Sequence, residues 1–121
     1  MAKILVIDDD LAVCKYLASV LEEAGHTVLT ADNGAEGVEI LKRDPADLVL
    51  CDLFMPVQEG LQTIKEIRQL FKAMPIIAIS GGSPSYGDFL STAIKLGAVE
   101  ALPKPLAPDT LCKAIESHLA V

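Results

Sequence analysis

A single carboxylate, Asp52, follows directly after the apolar run LVLC at residues 48–51. A short apolar run that is bounded by turn residues is typical of a buried central strand. Pro56 and Gly60 exclude a simple continuation of this strand and predict a loop. Reactive groups of open α/β sheets lie outside the carboxyl ends of the strands. Asp52 is therefore the first candidate for a reactive side chain.

Four further polar residues lie one or two positions after the ends of other apolar runs. They are Asp8 and Asp9 after residues 3–7, Ser80 after residues 76–79, and Lys104 after residues 98–102. Two carboxylates about 4 Å apart repel one another by roughly 4 kcal/mol at an effective dielectric constant near 20. Either protonation of one carboxylate or a bound cation relieves this repulsion. Mg²⁺ suits a few carboxylates plus water, so the acidic residues favour a Mg²⁺ site.

The same set of side chains suits phosphoryl chemistry. A carboxylate such as Asp52 can accept a phosphoryl group and form an acyl phosphate. The transferring group needs its oxygens neutralised, and Mg²⁺, the Lys104 ammonium group and the Ser80 hydroxyl could do this from three sides. Plainer roles remain open, because Asp8 or Asp9 could cap the first helix and Ser80 could simply end a strand.

The elements that must position these residues alternate between strand and helix. Apolar runs predict strands near residues 3–7, 27–30, 47–51, 76–79 and 98–102, and helical spacing predicts helices near residues 11–25, 33–43, 61–71, 88–96 and 108–119. Five such alternations indicate parallel strands with right-handed crossovers and helices on both faces. We therefore predict an α/β fold, a doubly wound five-stranded parallel sheet with five helices, and we take its strand order, 2-1-3-4-5, by analogy from the known flavodoxin-like arrangement.

Two connections in this fold have an unusual composition. Pro103 and Pro105 flank Lys104, which excludes regular structure there and predicts a constrained turn. Residues 81–87 are rich in Gly, Ser and Pro, and they predict a flexible loop. Because this loop follows Ser80 and contains little that would hold it, we expect it to reorganise when the site is engaged.

The composition excludes several classes of function. The net charge of −7 argues against a broad basic face for nucleic acid, and no apolar run approaches the ~20 residues of a membrane span. Cys14, Cys51 and Cys112 lack metal-ligand spacing and predict buried, reduced thiols in a cytoplasmic protein. We expect one domain over residues 1–121 without an output domain, either a stand-alone protein or part of a larger one.

Four motifs together resemble the receiver domain of two-component response regulators, of the CheY-like single-domain type. They are ILVIDDD, LVLCDLFMP followed by Gly60, IIAIS and LPKP. Each motif alone is unspecific, but the four occur in the family's order and the resemblance covers the whole chain. It implies a signalling switch that is phosphorylated on Asp52 by a histidine kinase or a phosphotransfer protein. Its output would be an unknown downstream protein or a fused output domain.

The resemblance also implies a role for each site residue. Asp8, Asp9 and Asp52 would hold Mg²⁺ together with the backbone carbonyl of Phe54. Ser80 would hydrogen-bond the phosphoryl oxygen and Lys104 would pair with it. The peptide bond between Lys104 and Pro105 would be cis, which X–Pro bonds tolerate at low cost. Such a domain would catalyse only its own phosphorylation and dephosphorylation.

Three positions depart from the pattern of that family. Ala101 stands where the family has an aromatic residue that swings inward on phosphorylation, which puts the usual readout in doubt. Phe54 replaces a polar or basic residue, and we hypothesise that it shields the acyl phosphate from water. Leu106 replaces a common Phe, from which we expect a packing consequence only.

Two alternatives remain open. A pseudo-receiver would keep the fold but work without phosphate, which Ala101 and Phe54 favour and the complete set of site residues opposes. A haloacid-dehalogenase-like phosphatase would use the DxD motif of Asp8 and Asp10, but that family needs a late acidic pair and usually a longer chain. The phosphorylated side chain would separate these classes, since the receiver uses Asp52 and the phosphatase would use Asp8.

Overall fold

The computed structural model of the chain describes residues 2–53, 57–80, 87–104 and 106–119. Several of the sequence predictions lie outside these residues and stay predictions. They concern the backbone carbonyl and the side chain of Phe54, the peptide bond between Lys104 and Pro105, and residues 81–86 of the predicted loop.

Five strands and five helices alternate along the chain. They are β1 (Lys3–Ile7), α1 (Leu11–Glu23), β2 (Thr27–Ala31), α2 (Gly34–Arg43), β3 (Leu48–Asp52), α3 (Val57–Leu70), β4 (Ile76–Ser80), α4 (Gly87–Leu96), β5 (Glu100–Pro103) and α5 (Pro108–Leu119). The strands form one parallel sheet of order β2-β1-β3-β4-β5. The predicted doubly wound sheet of order 2-1-3-4-5 with five helices is confirmed.

Two apolar layers, one on each face of the sheet, form the core. On one face, Ile7 of β1 belongs to a layer with residues of α2, α3 and α4 such as Ile64. On the other face, Val6 of β1 belongs to a layer with residues of α1 and α5 such as Leu17. Because both faces are covered, β3 and β4 are buried along their whole length and read as continuous apolar runs.

The structure at the start of α1 shows which aspartate caps this helix, a question that the sequence left open. Asp10 is the N-cap, and its side chain accepts hydrogen bonds from the backbone N–H groups of Ala12 and Val13 at 3.0 and 3.3 Å. A carboxylate at this position satisfies the unpaired amides of the first helical turn. Asp8 and Asp9 therefore do not serve as this cap and lie at the carboxyl end of β1.

Two local predictions are wrong. Gly60 does not lie in a loop, because α3 begins at Val57 and includes it. Pro103 does not lie in a turn, because it is the last residue of β5 and pairs with Ser80 of β4. Proline is tolerated at that place, since β5 is an edge strand of the sheet.

Gly60 lies where the backbone of α3 closely approaches the backbone at the end of β3. A Cβ atom at this position would meet the carbonyl oxygen of Asp52 at 2.9 Å and the Cα atom of Leu53 at 3.1 Å. Backbone atoms cannot rotate away from such a contact, so any larger residue must push α3 away from the end of β3. The glycine therefore allows α3 to pack directly behind Asp52.

Gly60→Ala is expected to lower the free energy of unfolding by about 1–3 kcal/mol, the usual cost of overpacking. This loss should exceed the roughly 1 kcal/mol by which alanine is the better helix former. Urea denaturation followed by circular dichroism measures it. Gln62→Ala, at an exposed position of the same helix, should change stability by no more than about 0.5 kcal/mol. A Gly60→Ala protein as stable as the parent would contradict this account of α3.

Candidate functional site

The polar residues singled out in the sequence meet at the carboxyl edge of the sheet. Asp8 follows β1, Asp52 ends β3, and Ser80 ends β4. β1 and β3 are hydrogen-bonded neighbours, with Ile7 paired to Cys51, so the positions directly after them are adjacent. The strand order thus brings Asp8 and Asp52, which are 44 positions apart in the sequence, together in a single site.

Three carboxylates form the centre of this site. Asp8, Asp9 and Asp52 each place a carboxylate oxygen within 4.8 Å of the others. Asp8 and Asp52 are buried, with only 1% of their surface exposed, whereas Asp9 is exposed. Carboxylates so close together repel one another strongly, and burial of two of them weakens the screening by water. The arrangement therefore needs positive charge.

Lys104 supplies part of that charge. Its Nζ atom lies 3.2 Å from Oδ2 of Asp8 and 3.3 Å from Oδ1 of Asp52. Only 19% of the Lys104 side chain is exposed, so water screens these ion pairs less than surface ones. From the sequence we predicted only that Lys104 would contact a phosphoryl group, and its contacts with the two buried carboxylates were not predicted.

The donor set at this site fits a hard divalent cation. Counted at their formal charges, three carboxylates at −3 and one ammonium group at +1 leave a net charge of −2. The carboxylate groups are the oxygen ligands that Mg²⁺ prefers, and the exposure of Asp9 leaves one side open to the waters that Mg²⁺ retains. The residues present at the site therefore fit the ion that the sequence predicted.

Ser80 and Lys104 come from neighbouring strands on the other side of Asp52. Ser80 is buried, with 3% of its surface exposed, and its backbone oxygen accepts a hydrogen bond from the backbone N–H of Lys104 at 2.6 Å. This bond continues the pairing of β4 with β5 by one residue beyond Pro103. The two candidate phosphoryl-binding residues thus lie beside each other and are joined through their backbones.

Cys14 borders the acidic cluster, and the sequence assigned it no role there. Its Sγ atom donates a hydrogen bond to the backbone oxygen of Asp8 at 3.2 Å. Burial, followed by the carboxylates of Asp8, Asp10 and Asp52, raises the pKa of the Cys14 thiol to about 11. The uncharged thiol therefore adds no further negative charge to the site. The sequence indicated this position through the helical spacing of Cys14 and Leu17, which places both side chains on the sheet-facing side of α1.

The cysteine predictions are confirmed in part. Cys14, a free thiol, and Cys51 are both buried, as expected from their apolar surroundings. Cys112 is also a free thiol but is only partly buried on α5. Burial, with the nearby carboxylates of Glu116 and Asp109, raises its pKa.

An open cleft of about 330 Å³ adjoins the acidic cluster. It is lined by Asp8, Asp9, Leu11, Cys14, Thr30, Ala31, Asp32 and Glu36. These residues come from the ends of β1 and β2 and from the first turns of α1 and α2. Small molecules in this cleft can therefore reach the exposed side chain of Asp9.

A family profile described as "Response regulator receiver domain" matches residues 4–116 of the sequence. The chain belongs to this family. The receiver domain is also similar over nearly its whole length to curated response regulators. It is 37% identical over 117 residues to the transcriptional regulatory protein ZraR of Escherichia coli strain K12, a match that covers 97% of this chain and 26% of ZraR. It therefore spans about a quarter of that relative.

A second curated relative has the size of the receiver domain itself. Protein PilH of Pseudomonas aeruginosa is 35% identical over 125 residues, and the match covers 99% of each protein. Among solved structures, a response regulator receiver domain protein from Clostridium thermocellum superimposes with a TM-score of 0.90 at 34% identity, covering 98% of this chain and 94% of that one. The chemotaxis protein CheY4 of Vibrio cholerae gives a TM-score of 0.87 at 30% identity, covering 98% and 99%.

These similarities confirm the predicted CheY-like receiver domain. They do not support the phosphatase that the sequence left open as an alternative. Among the helices of the described ranges, none has both the length and the hydrophobicity needed to cross a membrane.

Proposed function

We propose that this receiver domain is a phosphorylation switch whose phospho-acceptor is Asp52. A histidine kinase or a phosphotransfer protein would be the donor. The observation that carries the proposal is the placement of a buried Asp52 carboxylate between two further carboxylates and the Lys104 ammonium group. The cationic surroundings that this carboxylate needs are those that a phosphoryl group also needs.

The proposed step is a phosphoryl transfer to a carboxylate oxygen. One oxygen of Asp52 forms a bond to phosphorus while the bond from phosphorus to the donor breaks, and that electron pair leaves with the donor. Lys104 would move its ion pair from the Asp52 carboxylate to a phosphoryl oxygen, and the Ser80 hydroxyl would donate a hydrogen bond to another. Hydrolysis by water would break the bond between phosphorus and the Asp52 oxygen, release inorganic phosphate and return Asp52 to the free carboxylate. The domain would thus catalyse only its own phosphorylation and dephosphorylation.

Asp8, Asp9 and Asp52, with the backbone carbonyl of Phe54, would hold Mg²⁺. When bound, this ion neutralises the negative charge of the carboxylates and of the phosphoryl oxygens. Asp8 is held for this role from two sides, since its Oδ1 atom accepts a hydrogen bond from the backbone N–H of Asp10 at 2.9 Å and its Oδ2 atom faces Lys104.

The proposed output is a change in binding to a protein partner or to a fused output domain. Ala101 packs, partly buried, against the layer that contains α3 and α4, in place of the family's usual aromatic readout. The receiver domain would therefore report phosphorylation without a rotating aromatic ring at this position. Direct binding to nucleic acid or to a membrane is not part of the proposal, and a single domain over residues 1–121 and a cytoplasmic location stay predictions.

Incubation with acetyl phosphate and Mg²⁺ is expected to add one phosphoryl group to the protein, as measured by intact-protein mass spectrometry. Asp52→Asn should abolish the addition, because an amide oxygen is a far poorer nucleophile than a carboxylate. Asp10→Asn is the matched control and should keep the addition, since Asn caps a helix as well as Asp does.

The outcomes of this experiment separate the proposal from its alternative. An adduct that survives in Asp52→Asn would place the chemistry elsewhere. If the parent protein gains no adduct, beryllium fluoride binding followed by NMR distinguishes a receiver that loses phosphate quickly from a pseudo-receiver. Absence of binding would favour the pseudo-receiver and reject the proposed switch.

A further inference from the structure

The backbone segment that carries Lys104 leaves the sheet immediately before this residue. Pairing of β5 with β4 ends at Pro103, and a single further bond joins the N–H of Lys104 to the oxygen of Ser80. Proline has no backbone N–H, and positions 103, 105 and 108 are all prolines. Of residues 104–107, which connect β5 to α5, Pro105 lacks this donor and the N–H of Lys104 is bonded to Ser80, so contacts with other parts of the chain also help to fix the position of this segment.

One such contact comes from α1. The hydroxyl of Tyr16 donates a hydrogen bond to the backbone oxygen of Leu106 at 2.9 Å, across 90 positions of sequence. The Leu106 side chain is buried, with 7% of its surface exposed, in the apolar layer that includes Leu17 and Leu111. Leu106 is thus held by its side chain in the core and by its carbonyl at the surface of α1.

The hydrogen bond of Tyr16 joins the same two chain segments as an ion pair of the site. Asp8 and Tyr16 belong to the segment formed by β1 and α1, whereas Lys104 and Leu106 belong to the segment after β5. The ion pair joins Asp8 to Lys104 at 3.2 Å, and the hydrogen bond joins Tyr16 to Leu106. The second contact uses neither a site carboxylate nor the ammonium group, so phosphorylation would leave it in place.

We propose that Tyr16 is a positioning residue, which holds the Lys104 ammonium group at the acidic cluster through the backbone of Leu106. The inference rests on the function proposed above, in which Lys104 pairs with a phosphoryl oxygen. A lysine ammonium is a compact charge on a flexible four-carbon stem, so its location depends on where the backbone is fixed. A displacement of about 1 Å in a catalytic arrangement is enough to lower a rate strongly.

Tyr16→Phe tests this proposal, because it removes the hydroxyl and keeps the ring. The rate of phosphoryl uptake from acetyl phosphate with Mg²⁺ is expected to fall about threefold to tenfold, the factor that corresponds to one hydrogen bond. Ser117→Ala is the matched control, since it also removes a hydroxyl that donates to a backbone carbonyl at 2.9 Å, within α5. Its uptake rate should equal that of the parent protein.

A double-mutant cycle shows whether Tyr16 acts through Lys104. In a Lys104→Ala background, Tyr16→Phe should change the uptake rate by less than about twofold, because its target is gone. The same fold-loss in both backgrounds would overturn the proposal. So would a Tyr16→Phe protein that takes up phosphate as fast as the parent.

A second readout separates failure of this inference from failure of the proposed function. In protein labelled with ¹⁵N-lysine and kept free of phosphate donors, Tyr16→Phe should shift the Lys104 ammonium resonance and speed its exchange with water. Ser117→Ala should leave that resonance unchanged. If the parent takes up no phosphoryl group, the proposed function fails and the resonance still tests the positioning. An unchanged Lys104 resonance in Tyr16→Phe would overturn the inference.

Discussion

Replacing Lys104 by methionine is expected to lower the free energy of unfolding by about 3 kcal/mol when no divalent cation is present, the lower end of the cost of breaking a buried ion pair. The side chain of methionine fills a similar volume but carries no charge. Asp8 and Asp52, both 1% exposed, would lose an ammonium group that lies 3.2 and 3.3 Å from their oxygens. Their mutual repulsion, and that of Asp9, would then favour unfolding.

Urea denaturation followed by circular dichroism measures this loss, because the protein contains no tryptophan for fluorescence. Lys3→Met is the matched control: Lys3 pairs with Asp44 at the exposed start of β1, and an exposed ion pair contributes at most about 1 kcal/mol. Saturating Mg²⁺ should reduce the deficit of Lys104→Met, since the ion restores positive charge among the carboxylates. Equal losses in Lys104→Met and Lys3→Met would contradict the account of the site.

Asp8→Asn is expected to weaken Mg²⁺ binding at least about tenfold, because even residues that only support a metal ligand contribute that much. The change replaces one of three clustered carboxylates by a neutral amide at nearly the same volume. It leaves Asp9, Asp52 and Lys104 in place, so the site would lose one formal negative charge and one of the proposed oxygen ligands. Isothermal titration calorimetry with MgCl₂ measures the affinity.

The neighbouring Asp10 provides the control for this measurement. Asp10 lies two residues away but caps α1 with its carboxylate, and Asn serves that role equally well. Asp10→Asn should therefore keep the Mg²⁺ affinity within about twofold, the effect of a single charge in a screened position. If Asp8→Asn and Asp10→Asn weaken binding to the same extent, the ion responds to net charge rather than to the proposed ligands.

Much of the fold and the centre of the site could be predicted from the sequence, because both follow from short-range patterns. Continuous apolar runs identified the strands, and Asp52 lies at the strand end where its position after LVLC placed it. Gly25 and Gly97 follow α1 and α4 with φ values of 96° and 133°, a backbone conformation that favours glycine at the end of a helix. The strand order itself came from analogy with a known arrangement rather than from the residues.

The remainder depends on contacts that no local pattern contains. Gly60 reads as a loop residue, and only the approach of α3 to the backbone of Asp52 explains its place in a helix. The hydrogen bond from Tyr16 to Leu106 spans 90 positions of sequence. The ion pairs of Lys104 with Asp8 and Asp52 form only because the ends of β1 and β3 both lie beside Lys104 in the fold. Such features are fixed by tertiary packing, which overrides the propensity of single residues.

The account is tested most directly by identifying the side chain that carries the phosphoryl group. After incubation with acetyl phosphate and Mg²⁺, borohydride reduction converts an aspartyl phosphate to homoserine, which peptide mass spectrometry locates. The account predicts homoserine at position 52 and unmodified aspartate at positions 8, 9 and 10. Homoserine at position 8 with aspartate retained at position 52 would contradict it, because the chemistry would then start from β1 instead of β3.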